Sequence, residues 1–304
     1  MSEGLANPIG NFRPKNIVLA TDFLESSRLA LDYAVAFAHR FGATLTIVHA
    51  LELSFEAEEA ETRWQKSSVS RTLAHARLEG LAAGVRRTGI SVRIDLREGE
   101  PVGAILKSTI DHKCDLLVLG THGIYRGVQH IVIGSNAEKI LLSTECPTLT
   151  VGRHVLAGID LDLKITDLLV VTDVNCGSLS PLLLGLKLGI EFGVPIDLMY
   201  VRSEGDVEDA QLGGRLSSRC QDTLQRFPAL ADPRLSSPDF HRERIFNARD
   251  VIRRVESSAS RLIVTGVQPM SSIERHLYGS FAFQLAARAV SPLVSVPCGN
   301  SDAS

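Results

Sequence analysis

Aromatic residues are scarce in this 304-residue chain, at 5% with a single tryptophan, and no basic block or acidic tail interrupts it. Without a basic block there is no electrostatic footprint for nucleic acid, and the formal net charge is only −3. Cysteine is also sparse. Cys114, Cys146, Cys176, Cys220 and Cys298 are odd in number, form no CxxC pair and have no histidine at metal-ligand spacing. That pattern argues against a disulfide framework or a zinc site and for free thiols that fill the core. No apolar run approaches the ~18 residues of a membrane span. The opening segment lacks the basic-then-apolar pattern of a signal peptide, so a cytoplasmic location is expected. What remains is a globular composition, 44% hydrophobic and 22% charged. At this length, two domains of about 150 residues are the natural expectation.

The chain repeats itself. NIVLATDF, from Asn16, reads as a buried strand ending in Thr21 and Asp22. A helical pattern follows, with Leu29, Tyr33 and Phe37 on one face and Gly42 as its stop. DLLVVTDV, from Asp167, is again a strand, ending in Thr172 and Asp173. The helix after it has Ser180 placed to cap it, Pro181 in the first turn and Gly193 as its stop. Thr21 and Thr172, Asp22 and Asp173, and Gly42 and Gly193 all stand 151 positions apart. Later, DLLVLG ending at Gly120 is echoed by RLIVTG ending at Gly266. Gly134 and Ser135 are echoed by Gly279 and Ser280, and CPTLTV by SPLVSV, both 145 positions on. One long period means domain duplication rather than a solenoid. The expected domains are 1–155 and 156–304.

Each copy reads β-α-β-α-β-α-β-α-β. In the first, a long amphipathic helix from about Phe55 to Arg87 carries Trp64, Leu73, Leu81 and Val85. SVRIDL is then the third strand and PVGAILKSTID the next helix. The acidic stretch EAEEAE (56–61) reads as a solvated helix face. Strands alternating with helices predict an α/β fold: a doubly wound, five-stranded parallel sheet flanked by helices. Such sheets bind ligands beyond the carboxyl ends of their strands, where strand order reverses. If the first and fourth strands are neighbours, Thr21 and Asp22 meet the Gly120 loop there.

That loop runs GTHGIYRGVQHIVIGSNAEKILL, with glycines at 120, 123, 127 and 134 between a strand and a helix. Backbone N–H groups in such a turn approach phosphate closely, and the helix N-terminus favours an anion. The loop has neither the GK[ST] of a Walker A motif nor the GxGxxG spacing. Ser135, three residues before Glu138, also fits a capping box. Asp22 fits a helix cap as well as a ligand. His122 invites an acid/base role, but no partner supports one. Tyr125 and Arg126 suit a loop tip as well as a phosphate contact.

G-x-x-G, a spacer and then G-S before a helix resembles the phosphate loop of ATP-binding universal stress proteins, whose first strand also ends in aspartate. The resemblance covers nearly the whole chain twice and implies a Rossmann-like, adenine nucleotide alpha hydrolase-like fold. It implies that Asp22 contacts the adenosine end of ATP, with Thr21 beside it in the binding site. Gly120, Gly123, Gly134 and Ser135 would then hold ribose and phosphates, with or without Mg2+. Gly123 and Gly134 enclose ten residues where the family pattern usually has nine. In the second copy Pro269 takes the place of the second glycine and removes an N–H. Asp173, Gly266, Gly279 and Ser280 remain, so a weaker second site is expected. The family's last strand commonly pairs domains, which implies pairing of the two copies and a homodimer. No catalytic group stands out. The reading is a non-catalytic nucleotide-binding protein of stress response or signalling, with a slow ATP hydrolase and a nucleotide-free interaction module as rivals.

Overall fold

Branched apolar runs that stop abruptly at polar residues become strands covered on both faces. The computed structural model describes residues 12–52, 60–121, 133–152, 154–155, 161–173, 180–202, 245–247, 251–253, 261–267 and 281–298. Strand β1, Asn16–Ala20, and strand β4, Leu116–Gly120, are buried along almost their full length. Such continuous burial is characteristic of parallel sheets whose connections lay helices on both faces. Strands β2 (Thr44–Leu51), β3 (Val92–Glu98) and β5 (Thr148–Val151) complete a first sheet. Every pairing in it is parallel, and the order is β3-β2-β1-β4-β5. The order reverses between β1 and β4, which makes their shared edge the switch point.

Helix α1, Glu25–Phe41, carries Glu25 in its first turn and His39 and Arg40 in its last, matching the helix dipole. Gly42 ends it at φ 64°, a left-handed value suited to a residue without Cβ. Tyr33 and Phe37 are buried as the periodicity predicts, with Ala30, Ala34 and Ala38 beside them, while Leu29 is half-buried. Those alanines let the helix lie close on the sheet.

Helix α2 runs Ala60–Arg86, near the expected span. Its buried stripe is Ala74, Leu78, Ala82 and Val85; Leu73, expected on that face, is 53% exposed. Small alanines at helical spacing won the inward face, and the larger leucine one position earlier points out. The side chains of Trp64 and of 56–61 lie outside the described residues. Helix α3, Pro101–Asp111, starts with Pro101 in its first turn, and the Glu100 carboxylate accepts from the Gly103 N–H at 2.8 Å. Helix α4, Ser135–Ser143, precedes β5.

The chain divides into two compact units, Pro14–Lys164 and Ile165–Ser304 with Met1–Arg13. In the second, β6 (Asp167–Asp173), β7 (Ile196–Arg202), β8 (Ile245–Asn247), β9 (Arg261–Val267) and β10 (Leu293–Pro297) are described. Their order, β8-β7-β6-β9-β10, repeats that of the first unit, and their pairings are parallel. Helix α5, Ser180–Phe192, follows β6, and helix α6, Phe281–Arg288, precedes β10. Gly193 ends α5 at φ 66°, as its spacing predicts. Ser180 is the first helical residue and so lies one place inside the expected cap position. Among the described residues, no helix is long and apolar enough to cross a membrane.

Candidate functional site

Register places the two unusual strand ends together. Ala20 pairs with Leu119, so Thr21 and Asp22 leave β1 beside the point where Gly120 and Thr121 leave β4. The Thr21 N–H still donates to the Val48 carbonyl at 2.9 Å, extending the sheet one residue past β1. Its side chain is nearly buried, 3.1 Å from the Ser27 hydroxyl, and accepts from the Phe23 N–H at 3.1 Å. Thr21 therefore builds the floor of the turn.

Asp22 is exposed, and its Oδ1 accepts from the Leu24 N–H at 2.9 Å. This is an Asx turn; Leu24, without a side-chain hydrogen bond, is the residue that precedes α1. Asp22 thus shapes the entry to the helix without being its cap, and Oδ2 has no partner among the described residues.

Phe23, next in the chain, sits at φ 63°, a left-handed value that a bulky side chain rarely adopts. Its ring lies 4.4 Å from that of His49, tilted by 44°, and the Arg77 guanidinium stands 5.6 Å from its centroid. The His49 Nδ1 is 2.8 Å from the Thr21 carbonyl. A carbonyl only accepts, so that nitrogen carries a proton and the ring orientation is fixed. Sequence reading missed Phe23, His49 and Arg77 because their meeting is set by three different elements.

At Gly120 the start of α1 comes against the end of β4. A Cβ there would stand 2.7 Å from the Ser26 carbonyl carbon and 2.8 Å from its oxygen, so only glycine allows this approach. Thr121 follows, fully buried, with its N–H on the Val151 carbonyl at 3.2 Å. Its own carbonyl accepts from the Gly134 N–H at 2.7 Å. That bond fastens the two ends of the glycine loop. His122, Gly123, Tyr125 and Arg126 lie outside the described residues.

Gly134, extended at φ −62° and ψ 142°, occupies the N-cap position of α4, and no side chain caps that helix. The expected capping box is absent: Ser135 is the first helical residue, one place too far along to cap, and it is exposed. The first N–H groups of a helix have no partner within it. Those of α4 therefore open at the same end of the sheet as Asp22. In the second unit, Val171 pairs with Thr265, so Asp173 and Gly266 leave neighbouring strands at one end. Gly279 and Ser280 lie outside the described residues. Among the described residues no three His, Cys, Asp or Glu side chains gather as a metal site.

Comparison with known proteins places this fold in a family. Residues 14–152 match the model described as Universal stress protein family. A universal stress protein of Thermus aquaticus is 33% identical over 144 residues, covering 45% of this chain and 98% of that protein. Universal stress protein MJ0531 of Methanocaldococcus jannaschii is 29% identical over 141 residues, covering 46% of this chain and 82% of that protein. The crystal structure of a universal stress protein from Archaeoglobus fulgidus superposes with TM-score 0.68 over 94% of this chain and 97% of that one, at 16% identity. The chain belongs to the universal stress protein family.

Proposed function

We propose that the Pro14–Lys164 unit binds an adenine nucleotide, ATP with or without Mg2+, and that the chain acts as a nucleotide-responsive protein of stress response or signalling. The observation that carries this reading is the β1–β4 adjacency, which sets an exposed carboxylate beside a glycine loop clamped at its base. The residues suit the ligand. Asp22 has an oxygen left over for a ribose hydroxyl or the adenine amino group, and Gly120 lets the start of α1 lie against the end of β4 beside it. The loop around Gly123, with Gly134 and Ser135 at the start of α4, offers N–H and hydroxyl donors to phosphates.

On this reading the second unit is a second universal stress protein domain. Asp173, Gly266, Gly279 and Ser280 keep the adenosine end, and Pro269 weakens the phosphate end. The first domain then binds ATP more tightly than the second. A homodimer belongs to the same reading and is checked by sedimentation.

The test is the nucleotide content of freshly purified protein, followed by thermal shift with Mg-ATP. At a hundredfold excess over Kd, a ligand adds about 2.7 kcal/mol. For a unit of this size that raises Tm by roughly 5–10 °C. Bound adenine nucleotide, or such a rise that is lost in Gly123→Pro, supports the proposal. An empty protein indifferent to ATP would favour a nucleotide-free interaction module instead.

A further inference from the structure

Two cysteines separated by 32 positions meet at the amino-terminal ends of β4 and β5, away from Asp22 and Gly120. Cys114 Sγ lies 3.7 Å from Cys146 Sγ, and both residues are free thiols, half-buried. The parallel register brings them together. Leu117 pairs with Thr148, and its N–H donates to the Pro147 carbonyl at 3.0 Å. Counting back along both strands places Cys114 and Cys146 one residue out of step. Strands about 4.8 Å apart with a rise of about 3.3 Å per residue then put their Cα atoms roughly 6 Å apart. Disulfides span Cα separations of about 4.4–6.8 Å.

The surrounding backbone holds them there. The Cys114 N–H donates to the Thr109 carbonyl at 2.8 Å, and Lys113 before it makes a left-handed turn at φ 48°. Next to Cys114, the Asp115 carboxylate accepts from the Lys15 and Asn16 N–H groups at 2.8 and 2.9 Å. The Cys146 N–H reaches the Thr144 hydroxyl at 3.4 Å, and that hydroxyl lies 3.3 Å from the Cys146 sulfur.

The two sulfurs are not equivalent. The hydrogen bond between the two sulfurs lowers the Cys146 pKa most, helped by the Thr144 hydroxyl and the Leu117 N–H, against the opposing effect of burial. Cys114 is pushed up, first by that same hydrogen bond, then by burial and by the charge on Cys146. A thiol whose ionisation is favoured, beside one that keeps its proton, suits stepwise oxidation.

We propose that Cys114 and Cys146 form a redox-modification site, a dithiol that a peroxide converts reversibly to an intrachain disulfide. The Cys146 thiolate attacks one peroxide oxygen and breaks the O–O bond. With hydrogen peroxide this yields Cys146 sulfenic acid and hydroxide. The Cys114 sulfur then attacks the Cys146 sulfur, the S–O bond breaks, and the oxygen leaves as water with the Cys114 proton. Two thiols have lost two electrons and the peroxide has gained them. The covalent loop encloses β4, the glycine loop and α4. A dithiol reductant reverses the step. This proposal does not depend on nucleotide binding.

The test uses the reduced full-length chain, treated with hydrogen peroxide, quenched, alkylated and digested with trypsin. Cleavage after Lys113, Arg126, Lys139 and Arg153 puts the two cysteines on separate peptides, 114–126 and 140–153. The expected product is these two peptides joined, lighter by two hydrogens than their sum and separated again by dithiothreitol. Oxidation is expected to raise Tm by roughly 5–10 °C through loop closure, reversibly. In Cys114→Ser the joined peptide is lost, and Cys146 goes on to sulfinic acid. Cys114 and Cys146 that stay alkylatable in the wild-type chain while other cysteines oxidise would overturn the proposal. So would linkage of either to another cysteine or another chain.

Discussion

Gly120→Ala and Gly80→Ala are the same chemical change, and the structure assigns them opposite signs. At Gly120 the new methyl would lie 2.7 Å from the Ser26 carbonyl carbon, about 0.7 Å short of ordinary contact at 3.4 Å, and 2.9 Å from the Ser26 hydroxyl. A flexible side chain could swing away from such a clash. Here two of the three nearest atoms are backbone in the first turn of α1, so the helix start or the end of β4 has to shift. Overpacking of this kind costs roughly 1–3 kcal/mol. Gly80 lies exposed within α2, where an added methyl meets nothing within 4 Å beyond its chain neighbours and the helix's own backbone. Alanine there removes the backbone entropy penalty of a helical glycine and stabilises by about 0.5–1 kcal/mol. Urea denaturation of the two variants, followed by circular dichroism, measures both. A Gly120→Ala chain within about 0.5 kcal/mol of wild type would refute the close approach of α1 to β4. Because the shifted turn carries Asp22, the same variant is also expected to bind Mg-ATP more weakly than Gly80→Ala does.

Two further substitutions separate local structure from chemistry. In Asp22→Asn the amide oxygen preserves the turn bond to the Leu24 N–H, so stability stays within about 0.5 kcal/mol of wild type, while the affinity for Mg-ATP falls tenfold or more if the carboxylate holds the ligand. Asp22→Ala also loses the turn, at about 0.5–1.5 kcal/mol, and calorimetric titration beside thermal melts distinguishes the pair. Asp95, on β3, accepts from the Ser108 hydroxyl at 2.7 Å, Arg97 Nε at 2.7 Å and His112 Nε2 at 3.0 Å. Burial alone would raise its pKa, but the bonds from Ser108 and Arg97, the Arg97 charge and His112 together hold it below 3.8. With the folded pKa depressed, this stabilisation is complete above the unfolded carboxylate value and is lost as pH falls through the folded one. Asp95→Asn is expected to cost about 1–3 kcal/mol at neutral pH and to lose less further stability than wild type between roughly pH 5 and 3; parallel slopes for the two proteins would remove Asp95 as the cause.

What could be read from the sequence was local. β1 and β4 are apolar throughout because both faces are covered, and such runs are visible without knowing what covers them. Gly42 and Gly193 stop their helices because a left-handed residue is needed, a requirement met by one residue at one place. Alternating strands and helices, with right-handed crossovers, left few orders open, but the adjacency of β1 and β4 was only a condition until the strand order met it. The details that sequence reading got wrong depend on geometry finer than a pattern. Ser135 and Ser180 each fall one place inside their helices, a shift that hydrophobic periodicity does not resolve. Leu73 lost the inward face of α2 to Ala74 because packing close to a sheet rewards the smaller residue. The Glu100 cap went unnoticed for lack of a conspicuous serine or threonine. Phe23, His49 and Arg77, and likewise Cys114 and Cys146, come together only through tertiary register, which no spacing along the chain records.

The bond between the Thr121 carbonyl and the Gly134 N–H makes everything between them a replaceable cassette. Strand β4 and helix α4 are joined at that bond whatever the intervening chain does, so residues can be inserted without moving either anchor. Lengthening the loop that this bond closes from eleven residues to twelve costs only about 0.1 kcal/mol of closure entropy. A family could therefore vary the length and side chains of this segment while the sheet beneath keeps one unchanging mould.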